Sequence, residues 1–320
     1  SSSSNKLSIM NSISLGIKKF GKVISGLNPD AILILGDRYE ILCAGISGLF
    51  LKIPIIHLYG GEVTEGAIDE NIRHTMTKFS SYHFVSNEIF KKRVTQLGEN
   101  PKNIFCVGSL GVENAKKIKF ISKNELEKKL KIKLMKKNYL VTFHPETYKK
   151  DLGLKDFKNL LFTLSKLKNT FILFTAPNAD TGNEKFDYLI KNFVKKYKNS
   201  KYLPSLGQLI YFSCAKNFDG VIGNSSSGVI EIPTLKTPTL NIGNRQQGRI
   251  FAKSVINCIV PTKRNLKNKI NFLSNTKTKN RNLFYKNPYY KENTSDKIVK
   301  ILEKISFKKL ESKKFFDIKF

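Results

Sequence analysis

The sequence predicts an α/β protein of two doubly wound domains with a cleft between them, and three observations carry that reading. Short, continuously apolar runs such as Ala31-Ile32-Leu33-Ile34-Leu35 recur along the chain, as expected of strands covered on both faces of a parallel sheet. Stretches with apolar residues every three or four positions alternate with them, the pattern of a sheet wrapped by helices. At 320 residues the chain is long enough to bury two cores.

The elements follow in order. Met10, Ile13, Ile17, Phe20, Ile24 and Leu27 place one apolar stripe on a helix over 9–27, and Asn28-Pro29-Asp30 stops it. The strand 31–35 comes next. Helical 41–51 leads to strand 54–59, helical 68–80 to 82–86, and helical 88–97 to 103–107. Between 112 and 137 the chain is polar and Lys-rich without an apolar strand, and reads as a crossing segment with some helix. A second set opens with strand 138–143 and a helix carrying Phe157, Leu160, Leu161 and Leu164, followed by strands 170–175, 219–222 and 238–242. A less patterned basic stretch precedes a final helix near 295–305. Domain boundaries are therefore expected at 1–115, 116–290 and 291–320, the last a helix and basic tail.

Composition narrows the function class. Apolar residues make up 40% of the chain, with 23 Phe and no Trp, as in ordinary globular enzymes. No apolar run is long enough to span a membrane. Cys43, Cys106, Cys214 and Cys258 share no short spacing, so they read as buried thiols of a reducing compartment, the cytoplasm, and not as a disulfide frame or zinc site. The net charge of +31 raises nucleic acid as a partner. Its lysines run from Lys6 to Lys319 without a helix-turn-helix, zinc-finger or aromatic RNA-binding pattern, so they are read as solvated faces and an anionic small substrate is preferred.

Ligands of such sheets sit beyond the carboxyl ends of the strands. Strand 31–35 ends in Gly36-Asp37-Arg38, strand 54–59 ends in Gly60-Gly61-Glu62, and Asp69-Glu70 opens the next helix with Arg73 one turn in. Asp37, Glu62 and Asp69 are thus expected on one rim, where crowded carboxylates can supply both an acid and a base. Taken singly, each also fits a cap or a macrodipole partner. His144 follows a strand and precedes Pro145, which would turn it to the cleft; His57, His74 and His83 read as packing or capping residues. Gly223-Asn224-Ser225-Ser226-Ser227-Gly228 is a small-residue loop at a helix start, a candidate phosphate cradle that lacks the Gly-Lys-Ser/Thr of a P-loop. No His/Cys cluster has metal-ligand spacing.

The stretches Gly36-Asp37-Arg38-Tyr39-Glu40 and His57 through His74 resemble the hydrolysing UDP-N-acetylglucosamine 2-epimerases nearly residue for residue. Phe143-His144-Pro145-Glu146-Thr147, Pro177-Asn178-Ala179-Asp180, Pro204 through Leu209, Gly223 through Gly228 and Asn244-Arg245-Gln246-Gln247-Gly248-Arg249 match in the same order. The resemblance covers roughly residues 10 to 260 and is specific by virtue of the combined motifs. It implies two Rossmann-like domains of the glycosyltransferase B type with UDP bound between them, a homo-oligomer, a nucleotide-sugar substrate, and no cofactor or metal. It also implies elimination of UDP followed by hydration. Asp37, Glu62 and Asp69 would take the acid/base roles, with His144 beside them in catalysis. His144 and Arg73 would meet the diphosphate, Ser225 and Ser226 would bind phosphate, and Glu231 would hold the ribose. Which carboxylate is acid and which is base stays open. Against the family pattern, about two βα units, on the order of 60 residues at roughly 30 each, are expected to be missing ahead of residue 1. The first domain would then be incomplete, with exposed sheet edges. The same motifs also suit a 2,4-diacetamido-trideoxyhexose substrate linked to UDP or GDP.

Overall fold

The computed structural model describes residues 6–64, 68–178, 182–276, 285–307 and 313–318. Glu65-Gly66-Ala67 and Ala179-Asp180 of the family-like motifs lie outside them. The chain forms two compact units: Ser1–Thr64, Ile68–Glu113 and Tyr289–Phe320 make up the first, and Asn114–Pro288 the body of the second. Residues 291–320, expected from the sequence as a separate helix and tail, belong with the first unit.

In the first unit, α1 (Lys6–Leu27), β1 (Ile32–Leu35), α2 (Tyr39–Phe50), β2 (Ile55–Leu58), α3 (Asp69–Phe79), β3 (Tyr82–Val85), α4 (Glu88–Gln96) and β4 (Ile104–Cys106) alternate as the periodicity predicts. The four strands pair in parallel in the order β1-β2-β3-β4. One face buries Ile34, Ala44, Ile55 and Met76, and the other packs Ile56, Leu58, Phe84 and Val107 against Ile298. β1 ends the sheet among the described residues, and its Leu33 and Leu35 are 53% and 50% exposed. Asn87 caps α4 by accepting from the Phe90 N–H at 3.1 Å.

The boundary between the units falls within α5 (Leu110–Lys117). α6 (Lys123–Leu130) follows, with a capping box of Ser122 and Glu125. The second unit continues with β5 (Lys137–Thr142), α7 (Leu154–Leu164), β6 (Thr170–Phe174), α8 (Asn183–Lys196), β7 (Ser200–Tyr202), α9 (Gly207–Asn217), β8 (Gly220–Gly223), α10 (Ser226–Ile230), β9 (Thr239–Ile242), β10 (Val255–Cys258) and α11 (Lys263–Thr276). Its six strands are parallel in the order β10-β9-β8-β5-β6-β7. The chain winds outward from β5 through β6 to β7, then returns to lay β8, β9 and β10 on the other side. The sheet is doubly wound, and its switch point lies between β5 and β8. Tyr139 and Val141 enter one core with Phe157, Phe174 and Phe186, while Leu140 enters the other with Phe212, Phe218 and Val221. Both faces are covered, as the continuous apolar runs require.

The chain closes with α12 (Thr294–Leu302), which returns to the first unit. Thr294 Oγ1 donates to the Val107 carbonyl at 2.9 Å, and Glu113 accepts from the Ser295 N–H at 3.0 Å. The basic stretch beyond residue 242 is more regular than its sequence suggests. It holds β10 and α11, whose buried stripe is only Leu266, Ile270 and Leu273 among lysines and asparagines. Among the described residues no helix is long and apolar enough to cross a membrane.

Candidate active site

The first unit gathers charge at the carboxyl ends of β1 and β2. Leu35 lies opposite Leu58 in register, so the segments bearing Asp37 and Glu62 leave the sheet from the same end. His57, inside β2, fixes the first of them: its Nε2 lies 3.0 Å from the Gly36 carbonyl. A carbonyl only accepts, so Nε2 carries the proton. Complete burial pushes the His57 pKa down to about 4 and keeps the ring neutral. The turn after β2 depends on Gly61, whose φ is +74° and where a Cβ would run into the Phe90 carbonyl oxygen.

Arg73, 1% exposed on α3, is the hub. Nε donates to Asp37 Oδ2 at 3.0 Å and one Nη2 hydrogen reaches the same oxygen. The other Nη2 hydrogen goes to Thr64 Oγ1 at 2.9 Å, and Nη1 donates to the Glu62 carbonyl at 2.7 Å and to Glu70 Oε2 at 2.5 Å. All five guanidinium N–H donors are thereby used inside this unit. Burial alone would lower the Arg73 pKa, but Asp37, Glu62 and Glu70 outweigh it and push it up. The Glu62 side chain is buried, and its Oε1 accepts from Ser86 Oγ at the end of β3 at 3.2 Å. Asp69 opens α3 four residues before Arg73, at helical neighbour spacing.

Two features of this cluster differ from the sequence reading. The expected crowd of carboxylates includes a buried guanidinium, which offsets part of their mutual repulsion. Arg73, placed by the resemblance against a diphosphate, instead spends its donors on Asp37, Glu70, Thr64 and the Glu62 backbone. Glu70 was missed as a partner, although its (i, i+3) spacing to Arg73 was legible. The Thr64 N–H also donates to Glu70 Oε2, at 2.6 Å.

In the second unit the switch point carries the other predicted residues. His144 follows β5, and Asn224 follows β8. The two are clamped: the His144 N–H donates to Asn224 Oδ1 at 2.7 Å, and Asn224 Nδ2 donates to the His144 carbonyl at 2.9 Å. His144 Nδ1 accepts from the Asn178 N–H at 2.9 Å, so in the neutral ring the proton sits on Nε2. The Asn224 carbonyl accepts from Gln246 Nε2 at 2.8 Å and Arg245 Nη1 at 3.3 Å, which ties in the Asn-Arg-Gln-Gln-Gly-Arg motif. Gly223 allows this join. At φ +142° its Cβ position is filled by the Thr142 carbonyl oxygen.

Ser225 is the N-cap residue of α10 and Ser226 its first residue; the Ser225 side chain makes no capping bond. Glu231 ends the same helix. Beneath the loop the Tyr211 hydroxyl is buried, and its pKa is pushed up to about 12 by that burial and by the charge of Glu231. Thus Asp37, Glu70 and the Glu62 backbone meet on Arg73 in the first unit, and Asp69 stands at the start of the same helix. His144, Ser225, Ser226 and Glu231 share the strand-end loops of the second. Asn224 and Asn178 were quoted within motifs but not recognised as the residues that fix His144.

Comparison with known proteins identifies the family. Residues 2–303 match the family described as UDP-N-acetylglucosamine 2-epimerase. The polysialic acid biosynthesis protein P7 of Escherichia coli is 41% identical over 97% of this chain and 79% of its own length. The hydrolysing GDP/UDP-N,N'-diacetylbacillosamine 2-epimerase of Campylobacter jejuni is 41% identical over 79% of this chain and 66% of its own length. Among solved structures, the UDP-GlcNAc 2-epimerase of Neisseria meningitidis bound to UDP-GlcNAc superposes with a TM-score of 0.78 at 18% identity, covering 93% of this chain and 82% of that one. That likeness shows the shared fold, two Rossmann-like domains of the glycosyltransferase B type. The chain belongs to the UDP-N-acetylglucosamine 2-epimerase family.

Proposed function

We propose that the chain is a hydrolysing 2-epimerase that converts UDP-N-acetylglucosamine to N-acetylmannosamine and UDP. A carboxylate of the first unit takes the proton from sugar carbon 2 while the bond from carbon 1 to the diphosphate oxygen breaks, leaving a glycal and UDP. Water then adds its oxygen to carbon 1, and a proton returns to carbon 2 from the opposite face. Asp37, Glu62 and Asp69 supply the acid and base, and two carboxyl groups in different surroundings suit the two proton transfers. The observation that carries this reading is the five-donor grip of Arg73, which holds Asp37 and the Glu62 backbone at the ends of neighbouring strands. Arg73 acts here as a positioning residue. In the second unit His144 meets the diphosphate through its Nε2 side, the Ser225 and Ser226 hydroxyls and nearby N–H groups bind phosphate, and Glu231 holds the ribose.

A second reading keeps the chemistry and changes the sugar to a nucleotide-linked 2,4-diacetamido-trideoxyhexose. The 41% identical Campylobacter relative, named for diacetylbacillosamine, favours it. Proton NMR in deuterated water, without acceptor, separates the two. Release of UDP and of N-acetylmannosamine deuterated at carbon 2 from UDP-N-acetylglucosamine supports the first reading. Turnover only of the diacetamido substrate supports the second, and release of UDP without deuterium at carbon 2 defeats the elimination route in both. Asp37→Asn should lower turnover by roughly a hundredfold to ten-thousandfold, the usual effect of removing an acid or base.

A further inference from the structure

The amino ends of β5 and β6 carry a feature that the proposed chemistry does not use. A cavity of about 600 Å³ opens there between α7 and α11, at the opposite edge of the sheet from Asn224 and His144. Six cations line it: Lys137, Lys166, Lys168, Lys263, Arg264 and Lys267. They make up six of its fourteen lining residues, in a chain where Lys and Arg are 56 of 320, and no Asp or Glu is among the fourteen. Tyr139, Leu167 and Ile270 give it an apolar floor.

Two of these cations are placed where helix electrostatics disfavours them. Lys263 and Arg264 open α11, whose first turn has no acidic residue. Cations at that end oppose the helix macrodipole. Lys263 and Lys267 stand at (i, i+4), a like-charge pair that weakens a helix. Lys263 Nζ and Lys166 Nζ are also drawn to one ring, at 4.0 and 5.4 Å from the centroid of the half-exposed Phe162. A solvated basic face would splay its ammonium groups or intersperse carboxylates. Here six cations line one concave site with no Asp or Glu among its lining residues, and an anion carrying several negative charges offsets their repulsion while gaining charge-assisted hydrogen bonds.

We propose that this cavity is a binding site for a small inorganic oligophosphate such as pyrophosphate. Its volume is that of a small-molecule site, whereas a nucleic-acid backbone needs an extended basic track. The proposal does not depend on the epimerase reading.

Calorimetric titration of inorganic pyrophosphate into the full chain, with saturating UDP present to fill the nucleotide site, tests it. One saturable site is expected. The paired change Lys263→Ala with Lys267→Ala should weaken it by about tenfold or more. Lys195→Ala with Lys198→Ala, which removes the same charge from exposed positions near the end of α8, should leave it within about twofold. Pyrophosphate should also raise the melting temperature of the wild type but not of the cavity variant. Equal weakening by both pairs, unsaturable heats, or loss of binding whenever UDP is present overturns the site. Tighter binding of a single-stranded oligonucleotide through the same lysines also overturns it, in favour of nucleic acid.

Discussion

In the second unit, six strands are covered on both faces by apolar side chains. The Phe143, Phe157 and Phe186 rings lie 5.0 to 5.9 Å apart, each one fully buried. In the first unit the sheet has four described strands, one of them half-exposed on its outer face, and the interior holds Arg73, Glu62, His83 and Glu99. Apolar packing is non-directional and tolerates small shifts, whereas a buried charge is stable only when each donor and acceptor is met. The unit that spends burial on charge is the one that fixes carboxylate positions. The unit built on aromatic mass offers a stiff frame from which backbone loops project.

Two substitutions of similar size but different kind break this contrast. Phe157→Ala should cost the second unit roughly 3–5 kcal/mol, the usual penalty for a large cavity in a closed core, with no dependence on partner residues. Arg73→Met should cost the first unit a similar amount, roughly 3–5 kcal/mol, because it leaves Asp37 and Glu70 without their buried cation. Here a second change should help: Arg73→Met with Asp37→Asn should be more stable than Arg73→Met alone. Urea unfolding of these three variants and of Asp37→Asn alone checks both halves. Additive losses in the double variant would mean that Asp37 and Arg73 are not energetically coupled.

Much of this division was legible in the sequence. The apolar runs picked out eight of the ten described strands, although the outer face of β1 is exposed despite its unbroken run, and the strand-end positions of Asp37, Glu62 and His144 followed from them. β7, Ser200-Lys201-Tyr202, gave little apolar signal, whereas β10 carries the apolar run Val255-Ile256-Asn257-Cys258 but lies in the basic stretch whose pattern was not resolved from sequence. The constellation's internal wiring was harder to read. That Arg73 faces inward to Asp37, and not outward to a phosphate, depends on how α3 is rotated over the sheet, which no local pattern encodes. Asn224 clamping His144 joins residues eighty positions apart through a switch point known only once the strand order is known.

Glu99 sharpens the contrast through pH. Buried under the first unit, it accepts from His83 Nε2 at 3.0 Å and from Lys78 Nζ and Lys313 Nζ at 2.7 Å each. Lys313 also donates to the Lys78 and Ser80 carbonyls at 2.7 Å, holding the end of α3. Burial alone would raise the Glu99 pKa, but these bonds outweigh it and bring it down to about 2 from 4.5. A depressed carboxyl pKa stabilises the fold above the unfolded value and stops doing so as pH falls through the folded one. The first unit should therefore lose on the order of 3 kcal/mol between about pH 4.5 and pH 2 through this group. Stability curves against pH for the wild type and Glu99→Gln should converge toward pH 2. A constant gap between them would assign the acid limb to other carboxylates.

The smallest expected effect concerns β1 itself. Ile34 is 4% exposed and faces Ala44, Ile55 and Met76, while its neighbour Leu33 is 53% exposed on the opposite face. Ile34→Thr should cost roughly 2 kcal/mol, since it puts a hydroxyl in place of buried methyl groups. Leu33→Thr should cost about 1 kcal/mol or less, because half of the side chain is already in water and Thr favours strands. The pair is read as a ratio in one urea series, which cancels errors of extrapolation. A Leu33→Thr loss equal to that of Ile34→Thr would mean that the outer face of β1 is covered in solution, and the first unit would then resemble the second more closely than its described residues do.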